Sequence, residues 1–174
     1  MKTKTVNIAL FVPHSGCPHR CGFCNQKAIT GKQKELKAAD IFSACASAKN
    51  HSAEIAFFGG SFTAIARESM LSYLSAAKKC VDQYGLCGIR LSTRPDAVNE
   101  EILDILKRFG VSAIELGAQS SSDAVLAANG RGHSFSDTVR AAKLIKKYGF
   151  ELTLQMMTGL YLSSDSLDRQ TAAD

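Results

Sequence analysis

Three cysteines, Cys17, Cys21 and Cys24, stand in the run CPHRCGFC at C-x3-C-x2-C spacing. Thiolates are soft ligands that take zinc or iron–sulfur clusters. Three of them so close together can hold three corners of a cubane cluster and leave the fourth iron open for chemistry. Ferredoxin clusters are closed by four cysteines, and the nearest further cysteine, Cys45, falls in an expected helix. A structural zinc site also wants four protein ligands in a closed tetrahedron, and His14 or His19 could supply the fourth. The spacing favours the open cluster, with zinc as the alternative and a run that binds no metal as the third reading.

Two more features have chemical potential. Gly59-Gly60 follows an apolar strand, and glycines at a strand end let backbone approach a ligand closely. Arg131 offers a guanidinium, whose parallel donors match a carboxylate. Taken singly, a tight turn and a surface arginine are the plainer readings of these residues. They gain weight by falling on one rim with the cysteine run.

The elements that must position these residues alternate regularly. Strands are expected at 6–12, 54–60, 88–93, 112–118 and 151–157. Helices are expected at 36–49, 67–84, from Asn99 to Gly110, briefly at 121–129, from about 136 to 148, and again near Ser166. Apolar steps of three and four residues mark the helix faces: Ile41, Ala44, Cys45 and Ala48; Ile102, Ile105, Leu106 and Phe109; Val139, Ala142, Ile145 and Tyr148. Asn99 is placed to cap its helix, with Glu100 and Glu101 in the first turn. Such alternation argues a parallel sheet with right-handed crossovers.

Strand parity adds a further expectation. Arg90 and Ser92 share a face, as do Glu115, Gly117 and Gln119, and Thr153 and Gln155. The opposite parity is apolar. Wrapped by helices, such strands would turn the polar set inward, as an open, substrate-holding barrel requires; ordinary closed barrels fill the interior with branched apolar side chains. An open doubly wound sheet is the alternative.

Composition fits an ordinary globular chain: 174 residues, 45% hydrophobic, 21% charged. The net charge of +5 permits a nucleic-acid partner without arguing for one. The basic residues scatter along helices (Lys78, Lys79, Lys107, Arg108, Lys146, Lys147), as on a solvated face. Six cysteines in so long and periodic a chain do not make a secreted disulfide scaffold. Cys45, Cys80 and Cys87 read as small apolar residues on helix or strand faces. The apolar run near the amino end is short for a signal peptide, and nothing approaches a membrane span. A reducing cytoplasm and no membrane partner are therefore expected.

The ordered set CPHRCGFC, FFGGSFT, LSTRPD, IELGAQS and NGRGH resembles the radical S-adenosylmethionine (SAM) superfamily, from about Ile8 to Leu160. Within it the chain looks closest to the branch of the elongator catalytic subunit and oxygen-independent coproporphyrinogen oxidase, and nearer still to bacterial elongator-like proteins. The resemblance implies an α/β fold, a partial (β/α)6 TIM-like barrel. It implies a 4Fe-4S cluster on Cys17, Cys21 and Cys24, and S-adenosyl-L-methionine cleaved reductively to a 5′-deoxyadenosyl radical for hydrogen abstraction. Phe23 matches the aromatic position whose backbone lies near the adenine. Gly59, Gly60 and Ser61 match the motif that receives the methionine amino group, with Ser61 in place of the usual acid. Ser92 matches a strand-end position that often carries a carboxylate. Gln119 matches the polar residue ending the fourth strand, and Arg131 the arginine that pairs with the SAM carboxylate.

A reduced flavodoxin- or ferredoxin-type donor and a transfer-RNA base as substrate are implied in the same way. Five strands where the family has six suggest a core, residues 1–174, truncated at its carboxyl end, with an oligomer as one means of covering the open edge. A cluster-binding fragment without turnover and a zinc-binding nucleic-acid module are the competing functions.

Overall fold

A computed structural model describes residues 6–12, 21–24, 36–48 and 52–174. Five strands form one parallel sheet in chain order: β1 (Val6–Val12), β2 (Ala53–Gly59), β3 (Ile89–Thr93), β4 (Val111–Gln119) and β5 (Glu151–Met156). The crossovers carry α1 (Ala38–Ala48), α2 (Arg67–Tyr84), α3 (Glu100–Arg108), α4 (Asp123–Ala128) and α5 (Phe135–Lys147), and α6 (Asp165–Ala173) follows β5. Cys17, His14 and His19 lie outside the described residues.

One parity of each strand meets the helices. Ile8, Leu10 and Val12, Ile55 and Phe57, Ile89 and Leu91, and Ile114 and Leu116 are buried there. Phe57 packs on Phe62 with ring centroids 4.7 Å apart and on Tyr73 at 6.5 Å. The opposite parity carries Glu54, Arg90, Ser92, Glu115 and Gln155, and these side chains find one another. Arg90 Nε donates to Glu54 Oε1 at 2.7 Å, and Arg90 Nη1 lies 3.7 Å from Glu115 Oε1. Glu115 Oε2 accepts from Ser92 Oγ at 3.1 Å and from Gln155 Nε2 at 2.7 Å. Burial works against the Arg90 charge, but the hydrogen bond from Arg90 and the charge of Glu54, then Glu115 and Glu151, outweigh it and raise its pKa. The polar set thus faces the concave side, as strand parity requires for a partial barrel.

The helix starts are locally encoded. The Asn99 side chain accepts from the Ile102 amide and caps α3. Ser134 and Asp137 form a reciprocal capping box at α5. Three expectations need correction. On α5 Ile145 is fully buried and Ala142 and Tyr148 pack against the core as expected, but Thr138 and Ala141 are also buried, and Val139 lines an apolar groove beside Leu154 and Met156 of β5. On α3 the buried set is Leu103, Ile105 and Leu106, with Ile102 at the margin. Cys87 is exposed in the connection before β3, whereas Cys45 and Cys80 are fully buried. Burial pushes the Cys45 thiol up to about 12, so it packs as an apolar group. Among the described residues, no helix is long and apolar enough to cross a membrane.

Candidate functional site

The carboxyl ends of the strands open onto a cleft of about 160 Å³. Of the residues singled out in the sequence, Cys21, Phe23, Cys24, Gly59, Gly60, Ser61, Ser92, Gln119 and Arg131 all line it. They come from five separate stretches of chain, brought together because a parallel sheet sends every carboxyl end to the same rim. Cys17, the first cysteine of the triplet, lies outside the described residues.

Each wall has a local cause. Gly59 ends β2 at φ +104°, and a Cβ there would lie 2.9 Å from the Val12 carbonyl oxygen. Only glycine lets the chain turn away from β1 at that distance. Beyond it, the Ser61 hydroxyl is buried and engaged: it lies 2.9 Å from Thr93 Oγ1 and accepts from the Arg94 amide at 3.2 Å. Thr93 Oγ1 also meets Thr63 Oγ1, which donates to the Ala97 carbonyl. At the end of β4 the register with β5 slips between Gly117 and Gln119, and Gln119 takes φ +71°. Its carbonyl accepts from the Met157 amide, so the bulge is held rather than frayed.

Arg131 forms the floor and is 7% exposed. Nη2 donates to the Gly117 carbonyl at 2.7 Å, Nη1 lies 3.5 Å from Cys21 Sγ, and the guanidinium stands 5.8 Å from the centre of the Phe23 ring. Its Nε is buried without a hydrogen-bond partner among the described residues, and no described carboxylate pairs with it. Leaving a buried cation in that state is costly, and an anion beside it would offset the cost. Next to it His133 is buried, with Nε2 3.4 Å from the Ala118 carbonyl. Burial, then the charge of Arg131, lowers the His133 pKa and keeps the ring neutral.

Sequence reasoning missed four lining residues as members of the site: Thr93, Arg94, Gly117 and Gln155. Gln155 and Gly117 carried a usable signal, since they share the inward parity of Glu115. Arg94 and Thr93 belong to the LSTRPD run, whose internal bonding no spacing rule announces.

Residues 11–169 match the family described as the Radical SAM superfamily. The chain belongs to the radical SAM superfamily. Its core resembles the archaeal Methanocaldococcus infernus Elp3 structure lacking residues 1–46, at TM-score 0.69 and 19% identity, covering 96% of this chain and 41% of that one. The tRNA uridine(34) acetyltransferase of Methanocaldococcus infernus is 33% identical over 96 residues, 55% of this chain and 17% of that protein. Protein YhcC of Escherichia coli K12 is 27% identical over 163 residues, 84% of this chain and 52% of YhcC. This radical SAM chain therefore spans about half the length of YhcC and a smaller share of the acetyltransferase.

Proposed function

We infer that this chain is the core of a radical SAM enzyme in which Cys17, Cys21 and Cys24 hold a 4Fe-4S cluster and the adjoining cleft receives SAM. One observation carries the reading: a buried guanidinium, its Nε without a hydrogen-bond partner among the described residues, lines a cleft that also presents Cys21, Cys24 and the glycine end of β2. The residues fit the group. Among the described residues Arg131 has no carboxylate partner, the place a methionine carboxylate would take, and Gly59, Gly60 and Gly117 keep the walls free of Cβ atoms. When bound, the cluster and SAM together supply one-electron reductive cleavage to a 5′-deoxyadenosyl radical.

The chain's own residues bind and orient. Arg131 takes the carboxylate. Because the Ser61 hydroxyl is already engaged with Thr93 and the Arg94 amide, the amino group falls to backbone carbonyls of the glycine turn. The Phe23 backbone is offered to the adenine, while its ring lies 5.8 Å from the Arg131 guanidinium. Gln119 and Ser92 offer polar contacts to the nucleoside, with Ser92 oriented by the Glu115 carboxylate. The electron donor is a reduced flavodoxin or ferredoxin, and the substrate a transfer-RNA base. The substrate reading is supported by relatives whose names specify tRNA uridine(34).

Anaerobic reconstitution with iron and sulfide, followed by electronic absorption and metal analysis, tests the cluster. The expected result is a cluster spectrum that the triple Cys→Ala variant loses. One zinc per chain, or a spectrum unchanged in that variant, overturns it. Dithionite with SAM is then expected to yield 5′-deoxyadenosine; a full cluster without that product would leave a binding fragment and reject the enzyme.

A further inference from the structure

Arg94 is 4% exposed, the most deeply buried charged residue among those described. It directly follows β3 in the run LSTRPD. Pro95 opens a tight turn over Pro95–Ala97 that swings Asp96 back onto it. Arg94 Nε donates to Asp96 Oδ1 at 2.8 Å and Nη2 to Oδ2 at 3.2 Å, a two-point pairing that neutralises the guanidinium where it is buried. Nη2 also donates to the Arg131 carbonyl at 2.5 Å, and the Arg94 amide donates to Ser61 Oγ. One residue therefore bonds the turn after β2, its own turn and the loop after α4.

That last loop needs a restraint. Arg131 stands between Gly130 at φ +65° and Gly132 at φ +69°. Two such glycines leave the backbone on either side free to swing. The Arg131 amide is tied to the Leu126 carbonyl, and its carbonyl is tied to Arg94. Fixing both ends of the residue fixes the direction in which its side chain leaves the backbone. A lysine at 94 keeps the charge but lacks the planar fork that serves Asp96 and the carbonyl at once.

We propose that Arg94, held by Asp96, is a positioning residue that grips the Arg131 carbonyl and so aims the Arg131 guanidinium at the carboxylate of the bound ligand. This rests on the reading of Arg131 as the partner of the SAM carboxylate. It gives the Arg-Pro-Asp run a part in binding that passes through Arg131, although Arg94 itself also lines the cleft.

The test compares binding of SAM and of decarboxylated SAM to the cluster-reconstituted chain, by equilibrium dialysis, for the unmodified protein, Arg94→Lys, Arg131→Ala and the double variant. Arg94→Lys is expected to weaken SAM roughly tenfold, the scale of one charge-assisted hydrogen bond, and to leave the decarboxylated analogue within about twofold. In the Arg131→Ala background it is expected to add nothing, because its effect passes through Arg131. Equal losses for both ligands, or full additivity in the double variant, would overturn the proposal. Hydrogen exchange of the 127–133 segment gives a readout independent of any ligand: it is expected to quicken about tenfold in Arg94→Lys, and unchanged exchange rejects the grip. Asp96→Glu, which breaks the two-point pairing but keeps the charges balanced, is expected to reproduce these effects should Arg94→Lys not fold, and its failure to do so rejects the grip equally. If the unmodified protein binds SAM no better than its decarboxylated analogue while exchange still quickens, the reading of Arg131 falls and the grip stands.

Discussion

The Arg131 guanidinium lies 3.5 Å from Cys21 Sγ, across 110 residues of sequence. The contact joins the loop after α4 to the cysteine run and places a buried positive charge beside the Cys21 sulfur. Such a charge, lacking a carboxylate partner among the described residues, is costly unless something negative reaches it. Arg131→Ala removes the demand and the binding energy together. SAM affinity is expected to fall roughly 10- to 100-fold, while iron and sulfide per chain stay near those of the unmodified protein. Calorimetric titration of the reconstituted variant checks this, and equal affinity would remove Arg131 from the site.

Two glycines on the rim should respond differently to alanine. At Gly59 the added Cβ meets the Val12 carbonyl at 2.9 Å and the backbone sits at φ +104°. Neither can yield without displacing β1 or β2, so Gly59→Ala is expected to cost about 1–3 kcal/mol of stability. At Gly117 the Cβ would lie 3.1 Å from Gln119 Nε2 and 3.3 Å from Arg131 Nη2, both ends of flexible side chains. Gly117→Ala should therefore spare the melting temperature and weaken ligand binding by tilting Gln119 and Arg131. Denaturant unfolding beside a binding titration separates the two, and a large stability loss at Gly117 would contradict the assignment.

How much of this was legible beforehand follows the range of the forces. The strand positions and the polar concave face were readable because alternation at Arg90 and Ser92 and at Glu115 and Gly117 is a local pattern. Capping at Asn99 was readable for the same reason. The inward side of α5 was readable at Ala142, Ile145 and Tyr148 but not at Val139, which is as apolar as a core requires and whose surroundings only the position of β5 decides. The cleft's gathering of Cys21, Gly59, Ser92 and Arg131 was legible through resemblance rather than periodicity. The Arg94 network was not legible at all: it depends on a carbonyl 37 residues away, and carbonyls leave no mark in sequence.

The hydroxyls behind Ser61 form a buried chain. Thr93 Oγ1 lies 2.9 Å from Ser61 Oγ and 2.5 Å from Thr63 Oγ1, and all three residues are buried. Thr93→Val keeps the shape and removes the central hydroxyl. Ser61 and Thr63 keep other partners, the Arg94 amide and the Ala97 carbonyl, so the cost is expected to stay near 1–2 kcal/mol rather than that of an isolated orphan. Ser61 then loses its anchor on β3, and SAM binding should weaken alongside. Chemical denaturation gives the first quantity; an unchanged midpoint would mean the chain of hydroxyls carries no stability.

His133 gives the fold a dependence on pH with a defined sign. Its ring is buried, Nε2 faces the Ala118 carbonyl, Nδ1 has no hydrogen-bond partner among the described residues, and Arg131 and Arg94 add repelling charge that Asp96 only partly offsets. Burial first, then Arg131, lowers its pKa from 6.5. The unfolded chain therefore takes up a proton below about 6.5 that the native ring refuses. Stability is full above that value and declines as pH falls toward the lowered native pKa, with a slope of at most about 1.4 kcal/mol per pH unit. His133→Gln cannot titrate and keeps an amide donor for the Ala118 carbonyl. Unfolding curves taken between about pH 5 and about pH 8 are expected to show the unmodified chain losing more stability on acidification than His133→Gln. Parallel slopes for the two proteins would show that the imidazole is as freely protonated in the native state as in the unfolded chain.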